Sequence, residues 1–175
     1  MSRLERFERA VLPYLDAAYN LARWLTRDDQ DAQDVVQESM LRAFRYFDSL
    51  REAEARPWLL AIVRNTGYTW LQKNRPGDVQ PFDESADMDG ANVAPAESNP
   101  EVIVLQSAQR KLVAQALEEL PVAYREVLVL RELEDLSYKD VARIAGVPIG
   151  TVMSRLARGR DLLRKALETR MKRAS

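Results

Sequence analysis

Four side chains near the C-terminal end of the 175-residue chain, Thr151, Ser154, Arg155 and Arg158, have the types and spacing to read a polyanion. They lie in Leu136 to Arg160, LSYKDVARIAGVPIGTVMSRLARGR. Val152 and Leu156 mark the buried stripe of a predicted helix, and Ser154 and Arg158, each two residues on, fall about 200° round it and point outward. A guanidinium can donate two bonds to a guanine edge and a hydroxyl can serve several bases, so this outer face suits a DNA major groove. Arg160 and Arg164, further along, are expected to meet phosphates, which carry no base information. The competing explanation is a solvated cationic face on an ordinary bundle.

The elements that must position this face argue against that explanation. Ser137 is a plausible N-cap for a short helix with Val141, Ile144 and Ala145 facing inward, and the small Ala142 lets a second helix approach. Gly146 can adopt the left-handed conformation that ends the first helix, and Pro148 fits the opening turn of the next. Together they make a helix-turn-helix. Elsewhere apolar side chains also recur at helical spacing, as in Leu112, Ala116 and Leu120 beside Val113 and Leu117, and period-2 strand signals are absent. Breakers fall at Pro57, Pro121 and Gly146.

The chain contains no Cys and no His. That excludes disulfides, thiol and imidazole catalysis, most zinc sites and any Ser-His-Asp arrangement; no phosphate-cradling Gly loop and no paired-carboxylate site can be singled out either, and no catalytic residue, metal or cofactor is expected. A net charge of -1 hides strong patterning: residues 1–75 carry 12 basic and 11 acidic groups, residues 76–101 none and 7, and residues 102–175 14 and 9. The middle stretch also holds four of the 8 prolines. With Asp78, Asp83, Glu84, Asp87, Asp89, Glu97 and Glu101 and no cation, it reads as a flexible acidic linker, either a simple tether or an anionic mimic that occupies a basic channel of a partner. The expected fold is therefore all-α, with small helical domains at 1–75 and 102–175 joined by the linker at 76–101. No apolar run approaches the ~20 residues of a membrane span and the N-terminus builds no signal h-region, so a cytoplasmic location is expected.

Two N-terminal stretches carry further candidates. In Asp31 to Arg45, DAQDVVQESMLRAFR, the side chains Val35, Val36, Met40 and Phe44 can face a core while Asp31, Asp34, Glu38 and Arg42 form a mixed outer face with Gln37 nearby. In Arg56 to Arg75, RPWLLAIVRNTGYTWLQKNR, the side chains Leu59, Leu60, Ile62, Val63, Trp70 and Leu71 supply a buried side, and Arg64, Asn65, Tyr68, Gln72, Lys73 and Arg75 populate the rest. Cations interleaved with an amide and an aromatic suit single-stranded DNA, because cations hold phosphates while unstacked bases need a stacking or hydrogen-bonding partner. For Trp24, Trp58 and Trp70 core packing is the expected role.

The segment from Leu120 to Arg160 resembles the promoter -35 reading domain of the group IV, extracytoplasmic function (ECF), sigma factors of bacterial RNA polymerase. Asp31 to Arg45 is similar to that family's core-binding helix, and Arg56 to Arg75 to its -10 binding helix. The resemblance implies a promoter-specificity subunit acting in a stress response, with catalysis left to RNA polymerase. It implies that Asp34, Gln37, Glu38 and Arg42 bind the coiled coil of the polymerase beta-prime subunit, that the C-terminal domain meets the beta flap, and that a cognate anti-sigma factor exists. It further implies that Arg64, Asn65, Tyr68, Gln72, Lys73 and Arg75 hold the -10 strand, and that Thr151, Ser154, Arg155, Arg158, Arg160 and Arg164 hold the -35 duplex. Asp48 to Arg56 resembles the loop that captures a flipped -10 base, but its sequence, DSLREAEAR, singles out no side chain for the task. The alternative from another class is a helix-turn-helix regulator that binds duplex operators as a dimer, which leaves the N-terminal motifs without a role.

Overall fold

The computed structural model of the chain describes residues 1–51, 54–79 and 107–174, and among these every regular element is helical. The N-terminal domain comprises α1 (Arg3–Val11), α2 (Leu15–Thr26), α3 (Asp29–Arg45) and α4 (Ala55–Asn74). The C-terminal domain comprises α5 (Ser107–Glu119), α6 (Val122–Leu128) with a π-turn over Val129–Leu133, α7 (Tyr138–Ala145) and α8 (Ile149–Ala174).

The N-terminal core grows from helical periodicity. Along α2, Ala18, Leu21, Ala22, Leu25 and Thr26 are buried, a single stripe facing α3 and α4. Burying each such leucine contributes about 1.5–3 kcal/mol. The Ser2 side chain caps α1 by accepting from the Glu5 N–H, and the Asp28 side chain caps α3 by accepting from the Asp31 N–H. Between α2 and α4 the backbones come close because position 67 is glycine: a Cβ there would stand 2.8 Å from Leu25 Cδ1. Pro57 sits in the first turn of α4, where a missing N–H costs nothing.

In the C-terminal domain Pro121 precedes α6 and its carbonyl accepts from the Tyr124 and Arg125 N–H groups. Gly146, at φ 71°, closes α7 after the Ser137 side chain has capped its start by accepting from the Asp140 N–H. The helix-turn-helix expected from the sequence is thus formed, with the Pro148 carbonyl accepting from the Val152 N–H as α8 begins. Gly159 lets α8 pack on α6, its Cα side lying against Leu128 and Tyr124.

All seven residues of α6 are buried, Arg125 and Glu126 included. A helix covered all round needs neighbours on every side, and α6 has them in both domains: it packs on α8 and on α2, while α4 packs on α7. One buried cluster accordingly runs from Phe7 through Leu71 to Leu156.

Several expectations need amendment. Residues 76–79, placed in the linker, form a helical turn that returns to the N-terminal domain, where Val79 joins the core and Asp78 pairs with Arg27 at 2.7 Å. The remaining linker positions, 80–101, and residues 52 and 53 of the Asp48 to Arg56 loop lie outside the described residues. The buried stripe of α3 is Ala32, Val35, Ser39 and Ala43, with Val36, Met40 and Phe44 only flanking it. Ser39 escapes a polar penalty because its hydroxyl donates to the Val35 carbonyl at 2.6 Å. Asp31 is not on the free outer face, since Arg75 donates to it at 2.6 Å.

Candidate nucleic-acid interface

The reading face expected from the sequence lies on α8. Val152, Leu156 and Gly159 are buried, and Thr151, Ser154, Arg155 and Arg158 are half-buried around them. The Ser154 hydroxyl donates to the Thr151 carbonyl, which leaves its oxygen lone pairs to face outward. Arg158, Arg164 and Lys165 all reach one carboxylate, Asp161, at 3.3, 2.7 and 3.1 Å. Hydrogen bonds from Arg164 and then Lys165 hold the Asp161 carboxyl below its usual range, and the same bond raises Arg164. Arg160 turns the other way and donates twice to Glu132, at 2.5 and 3.1 Å, so it reaches a phosphate only by leaving that partner.

On α4, Asn65, Gln72 and Lys73 are exposed on one side of the helix together with Thr69. Arg64 and Tyr68 are next to them but engaged. The Arg64 guanidinium lies 3.7 Å from the centre of the Tyr68 ring, Arg64 Nε donates to Glu126 Oε1 at 2.6 Å, and the Tyr68 hydroxyl donates to Glu126 Oε2 at 2.6 Å. Burial, then the charge of Glu126, pushes the Tyr68 phenol far above its ordinary range; for Arg64 burial opposes the cation but Glu126 outweighs it and the shift is upward. Arg75 is tied to Asp31 and to the Thr26 carbonyl and lies over the Trp70 ring at 5.1 Å.

On α3, Asp34, Gln37 and Glu38 are exposed along one line, and Arg42 folds back on Glu38 at 3.1 Å. Leu41, 64% exposed, stands in the middle of that charged face. Among the described residues no group of His, Cys, Asp and Glu side chains is placed to hold a metal ion.

Two stretches of the chain match known families: residues 10–76 match Sigma-70 region 2, and residues 110–163 match Sigma-70, region 4. The RNA polymerase sigma-H factor of Pseudomonas aeruginosa is 34% identical over 172 residues, covering 96% of this chain and 89% of that protein. The chain belongs to the sigma-70 family. Within it the extracytoplasmic function group is indicated by the ECF RNA polymerase sigma-E factor of Escherichia coli, 36% identical over 148 residues, 82% of this chain and 77% of that one. A solved sigma factor, RpoE of Bartonella quintana in complex with the anti-sigma factor NepR, superimposes with a TM-score of 0.70 at 28% identity over 94% of this chain and 98% of that one. CnrH, solved with the cytosolic domain of CnrY, shares the fold at a TM-score of 0.64 and 23% identity over 95% of this chain and 90% of that one.

This ECF sigma factor binds core RNA polymerase and directs promoter-specific initiation by recognising -35 and -10 elements. Its N-terminal domain corresponds to region 2 and its C-terminal domain to region 4. None of the described helices is long and apolar enough to cross a membrane. Two kinds of residue lie outside the site residues expected from the sequence. Ile149 and Met153, 45% and 41% exposed at the start of the reading helix, were hidden by their apolar type. Arg125 and Glu126 were hidden by their charge, although a charged pair inside the apolar run VAYREVLVL was a signal that something must meet it.

Proposed function

We propose the following division of labour among the side chains of this sigma factor. Asp34, Gln37, Glu38 and Arg42 on α3 dock on the beta-prime coiled coil of core polymerase, and the region 4 domain meets the beta flap. Asn65, Gln72 and Lys73, joined by Arg64 and Tyr68, hold the unpaired -10 strand, with Arg75 reaching it only by giving up Asp31. Thr151, Ser154, Arg155 and Arg158 read the -35 duplex, while Arg164, and Arg160 once released from Glu132, steady its phosphates. The protein works in the cytoplasm, makes no covalent bond itself, and is held in check by a cognate anti-sigma factor, as the Bartonella relative is found with NepR.

The observation that carries the reading is the α3 face: Asp34, Gln37 and Glu38 are all exposed at helical spacing, and a side-chain pair such as Glu38 with Arg42 contributes only tenths of a kcal/mol to the fold. A charged face that stability does not need suits a basic partner. Reversing both Asp34→Lys and Glu38→Lys should leave helicity and melting unchanged while abolishing co-elution with core polymerase, because like charges then meet. Undiminished co-elution would remove α3 from the core-binding surface.

A further inference from the structure

We propose that Glu126 is an intramolecular latch that competes with the -10 strand for Arg64 and Tyr68, so that the sigma factor by itself is closed to single-stranded DNA. The inference rests on the assignment of Arg64 and Tyr68 to that strand. Glu126 belongs to the region 4 domain, 62 residues beyond Arg64, yet its carboxylate is fully buried and spends one oxygen on the Arg64 guanidinium and the other on the Tyr68 hydroxyl. A carboxylate that meets a guanidinium in this way stands where a phosphate oxygen would stand. Tyr68 has a single hydroxyl proton and the Nε–H of Arg64 is aimed at Glu126, so a strand that takes these donors must displace the carboxylate.

The neighbourhood is built to hold this closed form. One residue earlier, Arg125 crosses to the N-terminal domain and donates to the Trp24 carbonyl at 2.7 Å and the Leu25 carbonyl at 3.3 Å, at the end of α2. At the far side of the same contact Arg56 donates to the Glu134 carbonyl, Asn20 donates to the Glu134 carboxylate at 2.7 Å, and Arg143 pairs with Glu54 at 3.1 Å. The reading helix α8 packs chiefly on α5, α6 and α7 of its own domain, so what the contact between the domains covers is part of the -10 face. A partner that draws the two domains apart releases Arg64 and Tyr68 in the same movement.

The chain's lack of cysteine makes the test direct. The exposed Thr69 and Lys139 are replaced, Thr69→Cys with Lys139→Cys, and labelled as a donor–acceptor pair; binding of the full chain to a labelled pool of randomised single-stranded DNA is measured in parallel. Glu126→Gln, which keeps shape and removes charge, should lower transfer efficiency and tighten strand binding by about tenfold or more, since the apparent affinity of a closed protein is reduced by the fraction that is open. Should Glu126→Gln alter folding, Tyr68→Phe opens the latch from the other side, and the charge swap Arg64→Glu with Glu126→Arg should restore closure that Arg64→Glu alone loses. Unchanged transfer efficiency in all of these variants overturns the latch and leaves the -10 assignment intact. Opening of Glu126→Gln without tighter strand binding overturns the competition and takes Arg64 and Tyr68 out of the -10 site.

Discussion

Replacing Arg125 by methionine should destabilise the protein and uncouple its two domains. The side chain is 2% exposed and donates to four carbonyls: Trp24 at 2.7 Å and Leu25 at 3.3 Å in α2, Leu120 at 2.7 Å and Glu118 at 3.2 Å at the end of α5. The last carbonyls of a helix have no partner within it and carry partial negative charge, so one guanidinium closes two helix ends belonging to different domains. Counting only the two short bonds at about 1.5–3 kcal/mol each gives a loss of roughly 3–6 kcal/mol. Against that stands the burial of a cation, which with the nearby charge of Arg27 pushes Arg125 down to about 10 and which methionine avoids. A net loss of about 2–4 kcal/mol is expected. Lysine should not rescue, because an ammonium lacks the planar fork that reaches both helices. Urea unfolding can follow the two domains separately: all three tryptophans lie in the N-terminal domain, so fluorescence reports that domain and far-UV circular dichroism reports both. The wild-type transitions should coincide, whereas those of Arg125→Met should shift to lower urea and separate. Coincident transitions at the wild-type midpoint would refute the reasoning.

Arg158→Ala should cost about 1–3 kcal/mol in -35 binding and relax preference at one or two positions, while Arg164→Ala should weaken binding evenly and reduce the salt dependence by about one phosphate; promoter selection that shows the reverse places the reading face elsewhere on α8. Gly67→Ala should lower the melting temperature, because a Cβ 2.8 Å from Leu25 Cδ1 costs about 1–3 kcal/mol in overpacking against about 1 kcal/mol gained in helix propensity, and Leu25 is too deeply buried to swing aside. Tyr68, raised in the folded protein from its ordinary value of 10.0, contributes stability that is present below pH 10 and lost as pH rises beyond it. Arg125, depressed by burial, acts in the opposite sense over the same range, so comparison of wild type with Tyr68→Phe isolates the phenol. Phenolate absorbance from Tyr68 should be missing near pH 10 while the chain stays folded, and its appearance there would show that Glu126 and burial do not govern it.

Local rules made much of this protein legible from its residues. Ser137, Gly146 and Pro148 mark the helix-turn-helix because capping and the left-handed conformation are properties of single residues in their immediate context. Val152 and Leu156 then fix which side of α8 is dry, and the helical repeat places Ser154 opposite. The stripe of α3 was harder to read, since Ala32, Ser39 and Ala43 carry little hydrophobic signal and are buried only because a neighbouring helix comes close.

What tertiary structure alone decided is which charges are spent within the molecule. The same guanidinium is a groove reader, a phosphate clamp or a structural tie according to the carboxylate or carbonyl within its reach, and that partner lies far along the chain: Glu126 for Arg64, Asp31 for Arg75, Glu132 for Arg160, the ends of α2 and α5 for Arg125. Periodicity assigns a residue to a face of its own helix. It says nothing of what another domain brings against that face, because the pairing energy depends on distance and burial rather than on sequence separation. The sequence by itself therefore determined the helices, their inner sides and the family's motifs, and the packing of the two domains determined that Arg64 and Tyr68 are engaged by Glu126.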